Sequence, residues 1–309
     1  MKNIRFLKVY LIINSFMKLY LYIYTLLILF SCKENKVAKE NPIELKTDSI
    51  KEIPKIELSK TDLILDELNA DKSLLYEKLK SENTDDFNNL FENFKAKREI
   101  KIAKLNELEE NLLANYINFY DNNSQKYILP DSLKVKNSAF EKANLEFWGV
   151  GEGFTELRSE PNFYYNTFKN YVTIDYSDFL LLEAKDNSVL YSADAGISIT
   201  FEEVSERVLY WENYLNKYPK SKLFEKARED FINYCTNYLF GMDNTPTFEY
   251  SNNEIYPENQ LEFDRFISKN PKSKLSALVN LLMTNIKKMN ADELRKMLND
   301  KCSKLYNPK

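Results

Sequence analysis

From Phe87 to Phe119 an apolar residue returns every three or four positions: Phe87, Leu90, Phe91, Phe94, Ile102, Leu105, Leu108, Leu112, Tyr116 and Phe119. That spacing places all ten on one face of an α-helix. Thr84 can cap its start, and Asp85 and Asp86 suit the positive end of a helix dipole. The polar run Asp121-Asn122-Asn123-Ser124 ends it. The stripe has one gap, across Arg98. Lys95, Lys97, Arg98, Lys101 and Lys104, then Glu107, Glu109 and Glu110, fall between the apolar positions and read as a solvated face. Only five glycines occur in 309 residues. The expected fold class is all-α: a helical bundle with helix-turn-helix hairpins in the C-terminal half, preceded by a signal peptide and a tether.

Other segments extend the pattern. Asp71 to Lys80 predicts a short amphipathic helix through Leu74, Leu75 and Leu79. Asn137 caps a predicted helix running through Phe147. Three of the five glycines then cluster in Gly149-Val150-Gly151-Glu152-Gly153. Glycine permits positive φ and close backbone approach, so a sharp turn is expected there. A tight connection between helices is the plain reading. Trp148, Glu152, Phe154 and Arg158 beside it are the candidate ligand contacts. Ser159-Glu160-Pro161 begins a helix with Phe163, Tyr164 and Phe168, proline suiting the first turn. Asp175 to about Leu190 is helical, and Ala193-Asp194-Ala195-Gly196 is a break. Thr200-Phe201-Glu202-Glu203 is a capping box opening a helix to about Lys217.

Leu209 to Leu223 aligns without gaps to Leu261 to Leu275, at an offset of 52, with seven of fifteen positions identical. Trp211/Phe263, Glu212/Asp264, Tyr214/Phe266 and Leu215/Ile267 are conservative pairs. Each copy reads as a helix end, a proline and then a serine cap. These copies resemble the helical hairpins of tetratricopeptide-like envelope lipoproteins, in which a Pro-x-Ser step joins helices. The usual period is about 34 residues; here Gly241 to Pro257 is inserted. Trp211 and Phe263 are expected in the core.

The N-terminus carries Lys2, Arg5, Lys8 and Lys18, no acidic residue before Cys32, and an apolar run from Leu19 to Phe30. Basic start, apolar centre and small-residue exit describe a secretory signal. The run is shorter than the roughly 20 residues a membrane-spanning helix needs. Met17-Lys18 restarts the pattern, so translation from Met17 suffices. Leu29-Phe30-Ser31-Cys32 resembles the lipobox of bacterial lipoproteins. The resemblance implies cleavage before Cys32 and its acylation, with multiple acyl chains giving stable membrane anchoring. An uncleaved anchor with an incidental cysteine is the competing reading. No aspartate follows Cys32, so the inner-membrane retention signal of enteric bacteria is absent, and Lys33-Glu34 is similar to a surface-export tag. The expected location is the cell envelope, lipid-anchored at the outer membrane. The expected domains are signal peptide 1–31, lipidated cysteine and tether 32–58, and helical domain 59–309, subdivided at 59–196 and 197–309. The tether is too polar to bury a core.

Composition narrows function. The chain has no histidine, which removes histidine acid–base chemistry and the commonest metal ligand. Phosphate-cradling loops need glycines at set spacings, which are lacking. A net charge of −4 argues against nucleic acid as a partner. Cys235 falls on an apolar face with Phe231, Tyr238 and Leu239. It reads as a buried thiol, and pairing with Cys302 is the alternative. Neither a metal site nor a cofactor is expected. Carboxylate pairs exist, Glu152 with Glu156 and Glu202 with Glu206, and glycosidases use such pairs; with 47 acidic residues, such spacing also arises by chance. The leading expectation is a non-catalytic module binding a protein or peptide partner. The alternative is a hydrolase of an envelope polymer using a carboxylate pair.

Overall fold

The computed structural model describes residues 58–81 and 86–306. The signal segment, Cys32 and almost all of the tether lie outside them. The first helix, α1 (Lys60–Lys80), starts well before the expected Asp71. Ser59 accepts from the Asp62 amide and the Asp62 carboxylate reaches back, a capping box with aspartate in place of glutamate. Leu65, Leu68, Leu75 and Leu79 then form one continuous buried stripe.

The long stripe forms α2 (Phe87–Leu108), capped by Asp86. The expected cap, Thr84, lies outside the described residues. Continuation to Phe119 is broken at Glu109 into α3 (Glu110–Asn115) and a single 3₁₀ turn, Tyr116–Phe119. The buried Glu109 carboxylate accepts from Thr61 Oγ1 and pairs with Lys136. The break rotates the register, so Leu113 rather than Leu112 reaches the core. Arg98 corrects the solvated-face reading, because it fills the gap in the stripe at 1% exposure. Its guanidinium donates to Ser159 Oγ and to the Ala143 and Asn144 carbonyls, and lies 4.3 Å from the Phe163 ring centroid.

The fold is mostly α; the all-α expectation fails at the turns. Two-residue strands β1 (Tyr120–Asp121) and β2 (Lys126–Tyr127) follow the 3₁₀ turn. Helix α4 spans Asp131–Lys142, starting after Pro130 and not at Asn137. Asn144, at φ 56°, ends it in the left-handed conformation. The expected helical continuation to Phe147 is instead strand β3 (Leu145–Gly151), paired antiparallel with β4 (Phe154–Ser159). The physical reason is alternation: Leu145 and Phe147 on β3 and Leu157 on β4 join the core, while Glu146, Trp148 and Arg158 meet on the other face. The glycine cluster is therefore a hairpin tip, not a link between helices, with positive φ at Gly151, Glu152 and Gly153.

Helices α5 (Phe163–Phe168) and α6 (Ile174–Asp186) follow, the second ending before Leu190. The expected break at Ala193–Gly196 is a tight hairpin, β5 (Ser192–Ala193) with β6 (Gly196–Ile197). Thr200 makes its capping box with Glu203 and opens α7 (Phe201–Lys217). Then come α8 (Phe224–Phe240), two small hairpins, β7 (Gly241–Met242) with β8 (Thr245–Pro246) and β9 (Phe248–Glu249) with β10 (Glu254–Ile255), and α9 (Pro257–Lys269), α10 (Lys274–Asn285) and α11 (Ala291–Lys304).

The repeat is two stacked helical hairpins, α7 packing on α9 and α8 on α10, with α11 against α8 and α10. Trp211 and Phe263 are buried, as are Tyr214, Leu215 and Phe266. Ser273 caps α10, but Ser221 does not cap α8; Leu223 does. Both serines still accept from the amide two residues on, and each donates to a carboxylate of the preceding hairpin or helix, Ser221 to Asp175 and Ser273 to Glu212. Cys235 and Cys302 are buried free thiols facing one another. The core falls into three clusters, and α6 belongs to two: Tyr176 and Leu180 face α2, and Phe179 packs on Trp211.

Candidate functional site

Strand β4 lies along α2 in a fixed register, because the Asn106 side chain donates to the Leu157 carbonyl and accepts from its amide. Strand alternation then turns Glu156 and Arg158 away from the buried Leu157. Against the middle of α2 and the end of α6 this leaves a polar cleft of about 270 Å³. Its walls include Lys95, Glu99, Glu156, Arg158, Tyr164 and Glu183.

Most of these groups are committed within the protein. Lys95 donates to both Glu183 oxygens at 2.7 Å, and Lys226 reaches the same carboxylate. Burial alone would raise the Glu183 pKa; the two ammonium groups outweigh it and hold it below the usual carboxylate range. Tyr164 donates to Glu99 at 2.7 Å, and burial together with that carboxylate pushes the phenol pKa up. Arg158 bonds Glu146 and the Asn187 carbonyl, and its guanidinium stacks 3.4 Å above the Trp148 ring. Glu156 differs. Among the described residues no side chain donates a hydrogen bond to it. Desolvation by the cleft walls, and then the Glu99 charge, raise its pKa against the pull of Arg158.

The four residues expected as ligand contacts are thus divided. Arg158 lines the cleft, and Trp148 positions it from the neighbouring strand. Glu152 and Phe154 sit at the exposed hairpin tip and are not part of the cleft wall. Neither carboxylate pair noted in the sequence assembles. Glu152 is in the turn while Glu156 is in the cleft, and Glu202 pairs with Arg265 while Glu206 is exposed. The pair the fold does build, Glu99 and Glu156, comes from α2 and β4 and is invisible to local spacing. Nothing local to α2 places β4 across it.

A shallower depression of about 390 Å³ crosses the two hairpins of the repeat, lined by Leu209, Asn213, Asn216, Lys269 and Pro271 among others. The repeated aromatics Trp211, Tyr214, Phe263 and Phe266 point inward and are not part of its lining. Among the described residues no group of three or more Cys, Asp or Glu is placed to hold a metal ion, and no helix is long and apolar enough to cross a membrane. Comparison of the chain with protein-family models, curated protein sequences and solved structures finds no match.

Proposed function

We propose that this chain is a lipid-anchored cell-envelope protein, held to the outer membrane through acylated Cys32, whose domain is a non-catalytic module binding a protein or peptide partner. The observation that carries the binding reading is Glu156: a solvent-accessible carboxylate on the cleft wall, its pKa raised by partial desolvation and by the charge of Glu99, with no side-chain donor among the described residues. Partial desolvation at the cleft disfavours its charged form, and an added cation would favour it. A lysine or arginine side chain of a partner segment supplies that cation. The stacked hairpins serve as frame, since their shared aromatics are core. Two measurements test the reading. Labelled palmitate enters the wild-type chain and not Cys32→Ser; equal labelling refutes the anchor. On an array of envelope-protein peptides the chain selects segments with a basic residue, and Glu156→Lys loses them at least tenfold; unchanged binding refutes the cleft.

The raised pKa of Glu156 beside Glu99 also suits a general acid, which keeps the polymer hydrolase as the second reading. Hydrolysis of peptidoglycan by the wild type and not by Glu156→Gln would support it.

A further inference from the structure

One end of the domain carries an exposed apolar surface built from the base of the β1–β2 hairpin and the tip of the β3–β4 hairpin. Tyr120 and Tyr127 face each other across β1 and β2, their ring centroids 5.2 Å apart. Ile128 follows, 61% exposed, tied by its amide to the Phe119 carbonyl. The tip of the β3–β4 hairpin leans on the same group: a Cβ placed on Gly153 would sit 3.8 Å from the Ile117 side chain. Phe154, beside that tip, is 62% exposed, and Ile117 is exposed as well. Underneath, Tyr116 joins the two hairpins, stacking on Phe147 at 4.2 Å and lying 4.7 Å from Tyr127. Scattered apolar residues are normal on a surface; a contiguous group of tyrosine, phenylalanine and isoleucine marks a contact.

The chain enters the domain at this same end. Ser59 caps α1, and Thr61 in its first turn bonds Glu109 at the end of α2. From Glu109 the chain runs directly into α3, the 3₁₀ turn and the β1–β2 hairpin. Fully extended, the segment from Cys32 to Ser59 spans at most about 90 Å. Its attachment point is at the same end of α1 and α2 as the apolar surface, and not at the opposite end, where Thr173 and Asn88 meet.

We propose that this surface docks on the bilayer to which Cys32 is anchored, seating Phe154, Ile128 and the Tyr120–Tyr127 pair among the lipid headgroups. The proposal rests on the lipid-anchor reading. Aromatic residues with a polar tip favour the headgroup zone. A handful of such side chains binds weakly from solution; attachment through the tether makes the contact effectively intramolecular, so weak affinity suffices. The charges there are of both signs, Lys126 opposite Asp121 in the strand register and Lys134 bonded to Asp131. The docking therefore depends on apolar insertion and not on anionic lipid.

The test uses the full lipidated chain reconstituted in phosphatidylcholine vesicles, with and without brominated acyl chains that quench tryptophan. Phe154→Trp and Ile128→Trp are compared with Ile174→Trp, an exposed position at the opposite end, each read against the wild-type fluorescence of Trp148 and Trp211. Flotation with the vesicles reports anchoring separately, and circular dichroism confirms folding. The expected result is at least twofold more quenching at positions 154 and 128 than at 174, unchanged between low and high salt. A chain that floats but is quenched no more at 154 and 128 than at 174 overturns the docking, leaves the anchor standing and assigns the surface to a protein partner. A chain that does not float overturns the anchor and this proposal together.

Discussion

Replacing Trp211 separates two contributions that the fold combines at one side chain. The indole is buried at 1% exposure, packs 5.2 Å from Phe179 and 6.1 Å from Tyr214, and donates its N–H to Asp186 at 2.9 Å. Phe263, its counterpart in the second hairpin, is equally buried and has no polar atom. Truncating a buried aromatic to alanine costs about 3–5 kcal/mol. A hydrogen bond to a charged group contributes about 1.5–3 kcal/mol. Asp186 keeps Tyr210 and Arg207 after the indole is lost, so the low end applies. Phe263→Ala is therefore expected to lose about 3–5 kcal/mol, Trp211→Ala about 4.5–6.5, and Trp211→Phe, which keeps most of the bulk, about 1.5. For a domain of this size each kcal/mol lowers the melting temperature by about 2–4 °C. Thermal melts of the three variants, followed by circular dichroism, should show drops of about 6–20 °C for Phe263→Ala and about 3–6 °C for Trp211→Phe, with Trp211→Ala lowest. Alanine variants that both melt like wild type would falsify the core assignment of the repeat. A Trp211→Phe variant that melts like wild type would refute the contribution of the Asp186 bond alone.

Two further perturbations follow from single positions. Burial, with help from Asp186 and Glu183, pushes the Asp230 carboxyl up to about 6, against the pull of Lys226. A carboxyl raised in the folded state stabilises the fold when protonated, fully below the unfolded value and lost as pH rises through about 6. Asp230→Asn should therefore raise stability by about 1–3 kcal/mol at pH 8 and leave it unchanged at pH 4, measured by denaturant melts at both; an equal effect at the two pH values refutes the assignment. At Gly241, φ is +67° and an added Cβ would stand 1.9 Å from the Thr245 carbonyl oxygen, whereas Gly149 has open space around it. Gly241→Ala should cost several kcal/mol and Gly149→Ala about 1 or less in the same melts; similar melting of the two variants contradicts the backbone geometry at the end of α8.

The segments whose structure depends on local chemistry were legible in the chain itself. Thr200 and Glu203 close a capping box within one turn, so α7 was readable from four residues. The apolar periods of α2 and of the repeat announced helices, and equivalence of Trp211 with Phe263 announced burial. The expected N-terminal signal lies outside the described residues. What the chain left open depended on partners far away in sequence. Arg98 looked like one of five solvated cations; only Ser159, the Ala143 carbonyl and the Phe163 ring, brought in from three other segments, make its burial tenable. Leu145 to Gly151 followed a helix, and its period of two is short enough to be mistaken for a continuation. Its strand identity comes from pairing with Phe154 to Ser159. The cleft arises from the same cause. Glu99 and Glu156 lie on elements joined by no local rule; the Asn106–Leu157 clamp and the Arg98–Ser159 bond bring α2 and β4 together. Local patterns encode which residues must be buried and where helices start, because those free energies are summed over neighbours in sequence. Which charge faces which is set by packing across the chain, and it is decided only when the elements dock.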